Sequence, residues 1–348
     1  MLIVFIIYLC IFFTIKQVYR QRIDKYIRII PELFEFNSFE RKRLGIYLDN
    51  LLIRNSNIPI RISDDDVQYL CTFDPLHDNY YKKIVSDAET IRDLSHYEYI
   101  NNKFFKISLN PDSIDWFEVP TIVKSRYIHG NTINRPYAII GRLRSQVHFG
   151  LIQTAIDLRN KIPFENKKPV VIWRGGPSGT GFKNEYESYL QKPSRENMLK
   201  IWYKTIDDID VGLIPKWNYK DFEQYLESEM TLEDLIGYKY LLSIEGNDVA
   251  TNLKWALASN SVVIMPRPYV ESWFTESLLE PWVHYVPIRD DFSNLHDIKI
   301  WCDNNTDLCK EIIHNANIYT EQFINEDRER YLFKYVLEQY FKSVTFIR

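Results

Sequence analysis

The sequence predicts an α/β chain, and three observations carry that expectation. From Pro169 onward, short apolar runs alternate with amphipathic stretches, the pattern of a parallel sheet with helical crossovers. Four of only 11 glycines fall in one short loop, Gly175, Gly176, Gly179 and Gly181, directly after such a run. At 348 residues and 41.7 kDa the chain is long for a single core, so two domains are expected.

The N-terminus carries "LIVFIIYLCIFFTI", Leu2 to Ile15, 14 residues that are nearly all apolar. A membrane span needs about 20 such residues, so the stretch reads as an uncleaved anchor, an interfacial or buried helix, or a signal core. Lys16, Arg20, Arg22, Lys25 and Arg28 follow it and no small-residue cleavage site does, which favours an anchor over 1–28. Because the positive charges lie after the apolar run, the rest of the chain is expected on the cytosolic side. A Golgi or endoplasmic-reticulum lumen is the alternative.

Residues 29–165 form the first expected domain. "FNSFERKRLGIYLDNLL" has apolar residues at helical spacing, "KFFKISLN" and "PTIVKSR" read as strands, and "SQVHFGLIQTAIDLRNKI" reads as a helix. The polar break "PFENKKP" marks the boundary to the second domain, 166–348. There "PVVIW", "IDVGLI", "YKYLLSI", "SVVIM" and "WVHYVPI" are expected strands. "RENMLKIWYK", "VATNLKWALASN", "SNLHDIKIWCDN" and "TDLCKEIIHNANIYTEQF" are expected helices. The last stretch, "RERYLFKYVLEQYF", puts Tyr331, Tyr335 and Val336 on one stripe that needs a partner surface.

Composition excludes several classes. A net charge of −4 gives no basic field for a nucleic-acid partner. The four cysteines, Cys10, Cys71, Cys302 and Cys309, have no C-x-x-C spacing, so neither a disulfide framework nor a zinc site is expected. The seven histidines make no H-E-x-x-H pair, and Asp64 with Asp66 and Asp208 with Asp210 are D-x-D pairs that turns and caps explain equally well. No metal is therefore expected. In "RGGPSGTGF" Phe182 stands where a phosphate-binding P-loop requires Lys, which argues against a nucleoside triphosphatase.

Two segments have the character of a phosphate site. In "SIEGNDVATNLKWALASN", Gly246-Asn247-Asp248 is a turn between strand and helix, with Asp248 as the expected N-cap of a helix beginning near Val249. Free N–H groups there attract an anion, and Asn252 and Lys254 lie within the first turns. An ordinary crossover with a solvated lysine accounts for the same residues. In "VVIWRGGPSGTGF", Arg174 leaves a strand at its C-terminal end, where open α/β sheets bind ligands, beside Gly175, Gly176 and Ser178. The string "ESWFTESLLEPWVHYVPIRDDFSNL" combines Glu271, Trp273, Glu276, Trp282 and His284, residues suited to a sugar-facing loop.

These three strings, with "VVIWRGGPSGTGF" first in the chain, resemble glycosyltransferase family 90, whose members include protein O-glucosyltransferases, capsule-associated xylosyltransferases and lipopolysaccharide-core transferases. The resemblance spans about Pro169 to Phe323, and "VPTIVKSRYI" is similar to the bacterial lipopolysaccharide branch. It implies a GT-B architecture, two Rossmann-like domains with facing cleft, and a nucleotide-sugar, usually UDP-linked, as co-substrate without a metal or other cofactor. It assigns Arg174, Gly175, Gly176, Ser178, Gly246, Asn247, Asp248, Asn252, Lys254, Glu271 and Trp273 to donor binding. Asn252 departs from the pattern, since animal members carry an Arg there. The acceptor hydroxyl, of a glycan, glycoconjugate or protein, needs a general base from the first domain, and Asp112 and Asp115 are the candidates. The alternatives are a catalytically degenerate glycan-binding protein of the same fold and a nucleotide-dependent phosphotransferase.

Overall fold

The computed structural model describes residues 36–52, 58–61, 120–128, 138–143, 149–179, 193–216 and 222–347. The apolar stretch Leu2–Ile15, the strand expected over "KFFKISLN", the pair Asp64 and Asp66, and both candidate bases, Asp112 and Asp115, lie outside them. The first helix, α1 (Ser38–Leu52), opens with a reciprocal cap: Asn37 Oδ1 accepts from the Glu40 amide at 2.9 Å, and Glu40 Oε2 accepts from the Asn37 amide at 2.8 Å. Short strands follow: β1 (Ile58–Arg61), β2 (Thr121–Val123), β3 (Ser125–Tyr127) and β4 (Ala138–Ile140). A bend at Lys124 splits the strand expected over "PTIVKSR" into β2 and β3. Helix α2 (Phe149–Leu158) and a 3-10 turn at Phe164–Asn166 lead into the main sheet.

That sheet is built from β5 (Lys168–Gly175), β6 (Ile209–Leu213), β7 (Tyr238–Leu242), β8 (Val262–Met265) and β10 (Val286–Pro287), with β9 (Val270–Ser272) outside it. Its order is β10–β8–β7–β5–β6 and every pairing is parallel. The crossovers carry α3 (Arg195–Trp202), α4 (Leu232–Ile236) and α5 (Leu253–Ala258). Helices α6 (Leu295–Asn304), α7 (Thr306–Glu321) and α8 (Glu326–Ser343) and strand β11 (Val344–Ile347) complete the chain. Val171, Trp173, Tyr240, Leu242, Val262 and Ile264 face a cluster formed with α3, α6 and the start of α7. Their sequence neighbours Ile172, Leu241, Val263 and Met265 face a second cluster with α2, α5, the end of α7 and α8. Alternate side chains thus enter opposite cores, as the pleat requires, and helices cover both faces of the parallel sheet.

Two expected elements differ. The helix over "VATNLKWALASN" is confined to Leu253–Ala258, and "WVHYV" is mostly turn, with only Val286–Pro287 pairing to β8. His284 Nδ1 accepts from the Glu280 amide at 2.9 Å, which closes that turn locally.

Residues before 165 share the second cluster with the C-terminal helices: Leu44, Ile122 and Ile139 pack with Leu332, Val336 and Tyr340. β1 pairs in parallel with β11, and β3 pairs antiparallel with β9. Tyr331 and Tyr335 both pack against Phe36, and Tyr331 stays partly exposed. Among the described residues no helix is long and apolar enough to cross a membrane.

A buried ion pair joins α1 to α8. Arg43 donates to Glu329 Oε1 and Oε2, both at 2.6 Å, with the two side chains 1% and 2% exposed. Arg43 also donates to the Tyr47 hydroxyl and lies 4.3 Å over the Phe323 ring. Removing one partner of such a pair strands the other charge in the core. Glu329→Gln is therefore expected to lower stability by about 3–5 kcal/mol, read from denaturant unfolding.

Lys167 is a buried amine at the N-terminal ends of the inner strands β5, β7 and β8. Its Nζ donates to Ser261 Oγ at 2.7 Å, and Ser261 Oγ donates to the Tyr238 carbonyl at 2.7 Å. Burial pushes its pKa from 10.5 down to about 7. Between those values the unfolded chain binds more protons than the folded one, so stability from this group rises with pH across that window and is level below it. Lys167→Met should flatten this slope between pH 7 and 10 and raise the melting temperature at pH 7, measured by calorimetry across pH.

Candidate active site

The chain leaving β5 crosses one face of the sheet through α3, and the chain leaving β7 crosses the other through α5. The connections therefore diverge between β5 and β7 and leave a crevice at the C-terminal edge of the strands, the place where such sheets bind ligands. Both glycine-containing turns end there. The Gly179 amide donates to Asn247 Oδ1 at 2.9 Å, and Gly179 has φ +82°, a conformation that disfavours any side chain. A Cβ on Gly246 would lie 2.7 Å from Ser178 Oγ and 3.1 Å from Arg195 Nη2, so the two loops meet only because that atom is missing.

Arg195 is the strut between the loops. As the first residue of α3, capped by Ser194, it donates to Gly176 O at 3.0 Å, Ser178 Oγ at 2.7 Å and Ile244 O at 2.9 Å. Its guanidinium also lies over the Trp173 ring at 5.5 Å. A cavity adjoins it between the ends of β7 and β8, lined among others by Ser243, Glu245, Met265, Arg267 and Tyr269. Glu245 Oε1 accepts from the amides of Tyr269 at 2.8 Å and Val270 at 3.0 Å, which joins the two loops that form its walls. The Tyr269 hydroxyl accepts from Arg267 at 2.8 Å and donates to Asp290 Oδ2 at 2.5 Å. Burial raises the Asp290 carboxyl above its ordinary value.

Several expected site residues lie elsewhere. Asp248 is no helix cap, because α5 starts at Leu253 with Asn252 at the cap position, and its carboxylate pairs with Lys124 at 2.5 Å. Asn252 ties strand to helix: its Nδ2 donates to Leu242 O at 2.9 Å and its Oδ1 accepts from Ser243 Oγ at 3.0 Å. Lys254 does not reach the turn. It is 2% exposed, pairs with Glu276 Oε1 at 3.1 Å and lies over Phe274 at 5.4 Å. Glu271 pairs with Arg126 at 3.0 Å, and Trp273 is 1% exposed, so neither is sugar-facing. Lys254 lies against the aromatic cluster that Trp273 forms with Phe274, Tyr319 and Phe323.

Arg174 turns across the neighbouring strand, donating to Asp210 Oδ1 at 2.7 Å and to the Asp210 carbonyl at 3.2 Å. Asp208 is held by Lys299 at 2.8 Å, so the D-x-D pair is divided between two ion pairs. Among the described residues no cluster of His, Cys, Asp or Glu could hold a metal ion. The motifs in the sequence single out none of Arg195, Glu245, Arg267 and Tyr269. Their signal was position alone: Glu245, Arg267 and Tyr269 closely follow the ends of β7 and β8.

The family profile described as Glycosyl transferase family 90 matches residues 148–347, more than half of the chain. The chain belongs to glycosyl transferase family 90. The match takes in the whole main sheet, both loops and the cavity. O-glucosyltransferase LpsA of Dichelobacter nodosus is 34% identical over 224 residues, covering 64% of this chain and 63% of that protein. Protein O-glucosyltransferase 3 of Homo sapiens is 26% identical over 171 residues, covering 47% of this chain and 33% of that protein. The chain thus spans less than two thirds of the length of either of these curated relatives. A solved structure, Anabaena Alr3699/HepE in complex with UDP and glucose, superposes with a TM-score of 0.39 at 10% identity, covering 86% of this chain and 75% of that one.

The placement of Lys254 has a consequence in this family 90 chain. Lys254→Met should destabilise the fold by about 3–5 kcal/mol, because it leaves Glu276 buried and unpaired. Lys254→Met combined with Glu276→Gln should recover part of that loss, as read from denaturant melts.

Proposed function

We propose that this chain is a glycosyltransferase that moves a sugar, of the glucose class, from a uridine diphosphate donor to a hydroxyl group of a glycan, glycoconjugate or protein. The observation that carries the reading is the family match over the half of the chain that contains the crevice between β5 and β7. Two relatives named as O-glucosyltransferases support the glucose class.

In this reading the diphosphate lies over the two loops. Backbone amides of Gly175, Gly176, Ser178, Gly246 and Asn247 face it, and Arg195 and Arg267 supply charge from its two sides. Arg174, one strand away, completes the positive field. Asn252, Lys254, Glu271 and Trp273 hold the walls from behind. Departure of the diphosphate leaves negative charge on its oxygens, which fixed cations and amides stabilise better than water does. The donor needs no metal for this, since the arginines take the role a cation would fill.

The acceptor proton passes to a carboxylate of the preceding region, Asp112 or Asp115. A GT-B arrangement, with that region facing the crevice, brings base and donor together. The apolar segment Leu2–Ile15 would tether the body to a membrane, on the cytosolic side by the charge bias that follows it.

Full-length protein incubated with a panel of UDP-sugars should consume UDP-glucose, or another member, with release of UDP. Gly246→Ala, which pushes Ser178 and Arg195 apart, should weaken UDP binding about tenfold or more in calorimetric titration. Asn at Asp112 or Asp115 should lower turnover about 10²-fold or more while UDP still binds. Absence of binding to every UDP-sugar would overturn the proposal.

A further inference from the structure

The segment Thr121–Ile128 lies outside the family-matched residues, yet it holds both the turn after β7 and the segment after β8. Lys124, at the bend between β2 and β3, pairs with Asp248 Oδ2 at 2.5 Å, with side chains 10% and 15% exposed. Arg126, two residues on, donates to Glu271 Oε1 at 3.0 and 3.1 Å and to the carbonyls of Ala138 and Ile46. Tyr127 shares a small buried cluster with Val249, Tyr269 and Val270. The Ile128 amide donates to the Tyr269 carbonyl at 2.8 Å.

These contacts divide into two kinds. Arg126 and Ile128 hold the segment after β8, which β3 already anchors by pairing with β9, and Tyr127 packs on both that segment and Val249. Lys124 holds the turn after β7. That turn has no helix beneath it, because α5 begins only at Leu253, and it has no regular secondary structure of its own. Among the contacts that hold it are the Asn247 bond to Gly179, the Arg195 bond to Ile244, the Glu245 bonds and the Asp248 ion pair. A charge pair that is almost dry is stronger and less screened than one in water, so it can hold a glycine turn in one position.

We infer that Lys124 is a positioning residue of the donor site, acting through Asp248 to fix the Gly246–Asp248 turn against the Gly175–Gly179 loop. This rests on reading the crevice as the donor site.

The test is a double-mutant cycle in the full chain with Lys124→Met, Asp248→Asn and the two combined, with Lys124→Arg as the conservative variant. UDP affinity is read by calorimetry, and amide exchange of residues 244–250 is read by mass spectrometry. Each single variant should bind UDP about tenfold more weakly and exchange these amides faster; the combined variant should be no worse than the weaker single one, and Lys124→Arg should restore most of the affinity. Additive losses would overturn the inference, as would a loss in Lys124→Met alone, which would mean that the ammonium touches phosphate directly. Unchanged exchange in both single variants would also overturn it. Should the wild-type chain bind no nucleotide, the donor reading fails, and the exchange data still decide whether the pair fixes the turn. If Lys124→Met does not fold, Asp248→Asn and Lys124→Arg carry the same comparison.

Discussion

The reversal of strand order at β5 is the constraint on which the site depends. With β6 on one side and β7 on the other, the connections from β5 and β7 must run over opposite faces, and a gap opens between them at the strand ends. Among the described residues the two turns there have no regular structure, and they hold each other. The contact requires a positive φ at Gly179 and no side chain at Gly246. A chain this poor in glycine places one of them wherever backbone must approach backbone across the gap.

Around this crevice, charge serves structure more than its sequence context implies. Arg43, Arg126 and Lys254 are each almost fully buried and each meets a buried carboxylate, Glu329, Glu271 and Glu276. Taking both charges out of water is costly, and the geometry offsets this only with extra hydrogen bonds. Glu276 has them in the Ser272 amide at 2.6 Å and hydroxyl at 2.9 Å, and Arg126 has them in two backbone carbonyls. Each pair allows one docking of its elements and penalises others. The pair Arg43–Glu329 fixes α8 on α1, and Arg126–Glu271 fixes β3 on β9.

The string "ESWFTESLLEPWVHYVP" follows the same logic. Its aromatic and acidic residues suit a sugar platform, but Trp273 and Phe274 pack with Tyr319 and Phe323, and the Tyr319 hydroxyl donates to the carbonyls of Phe274 at 2.7 Å and Thr275 at 2.9 Å. The segment is an internal hub beneath the site. Arg195 is the reverse case: a cation at a helix N-terminus is unfavourable by the dipole alone, and here it is retained as a strut for two loops.

The sequence by itself determined the alternation of strands and helices after Pro169 and the two loops at the strand ends, because buried strands and turn-forming glycines leave local patterns. It also carried the family, through three strings in a fixed order. Only the tertiary structure decided where α5 begins and which partner each buried cation meets. Asp248 has the chemistry of a cap, and no local rule reveals that Lys124, more than a hundred positions away, captures its carboxylate. Lys254 lies within the first turns of a helix in sequence, yet α5 is buried on all sides, so its ammonium turns inward to Glu276. Local patterns fix backbone conformation over a few residues; the partner of a charge is set by whichever segments the fold brings within a few ångströms, and that sum is not written at either position.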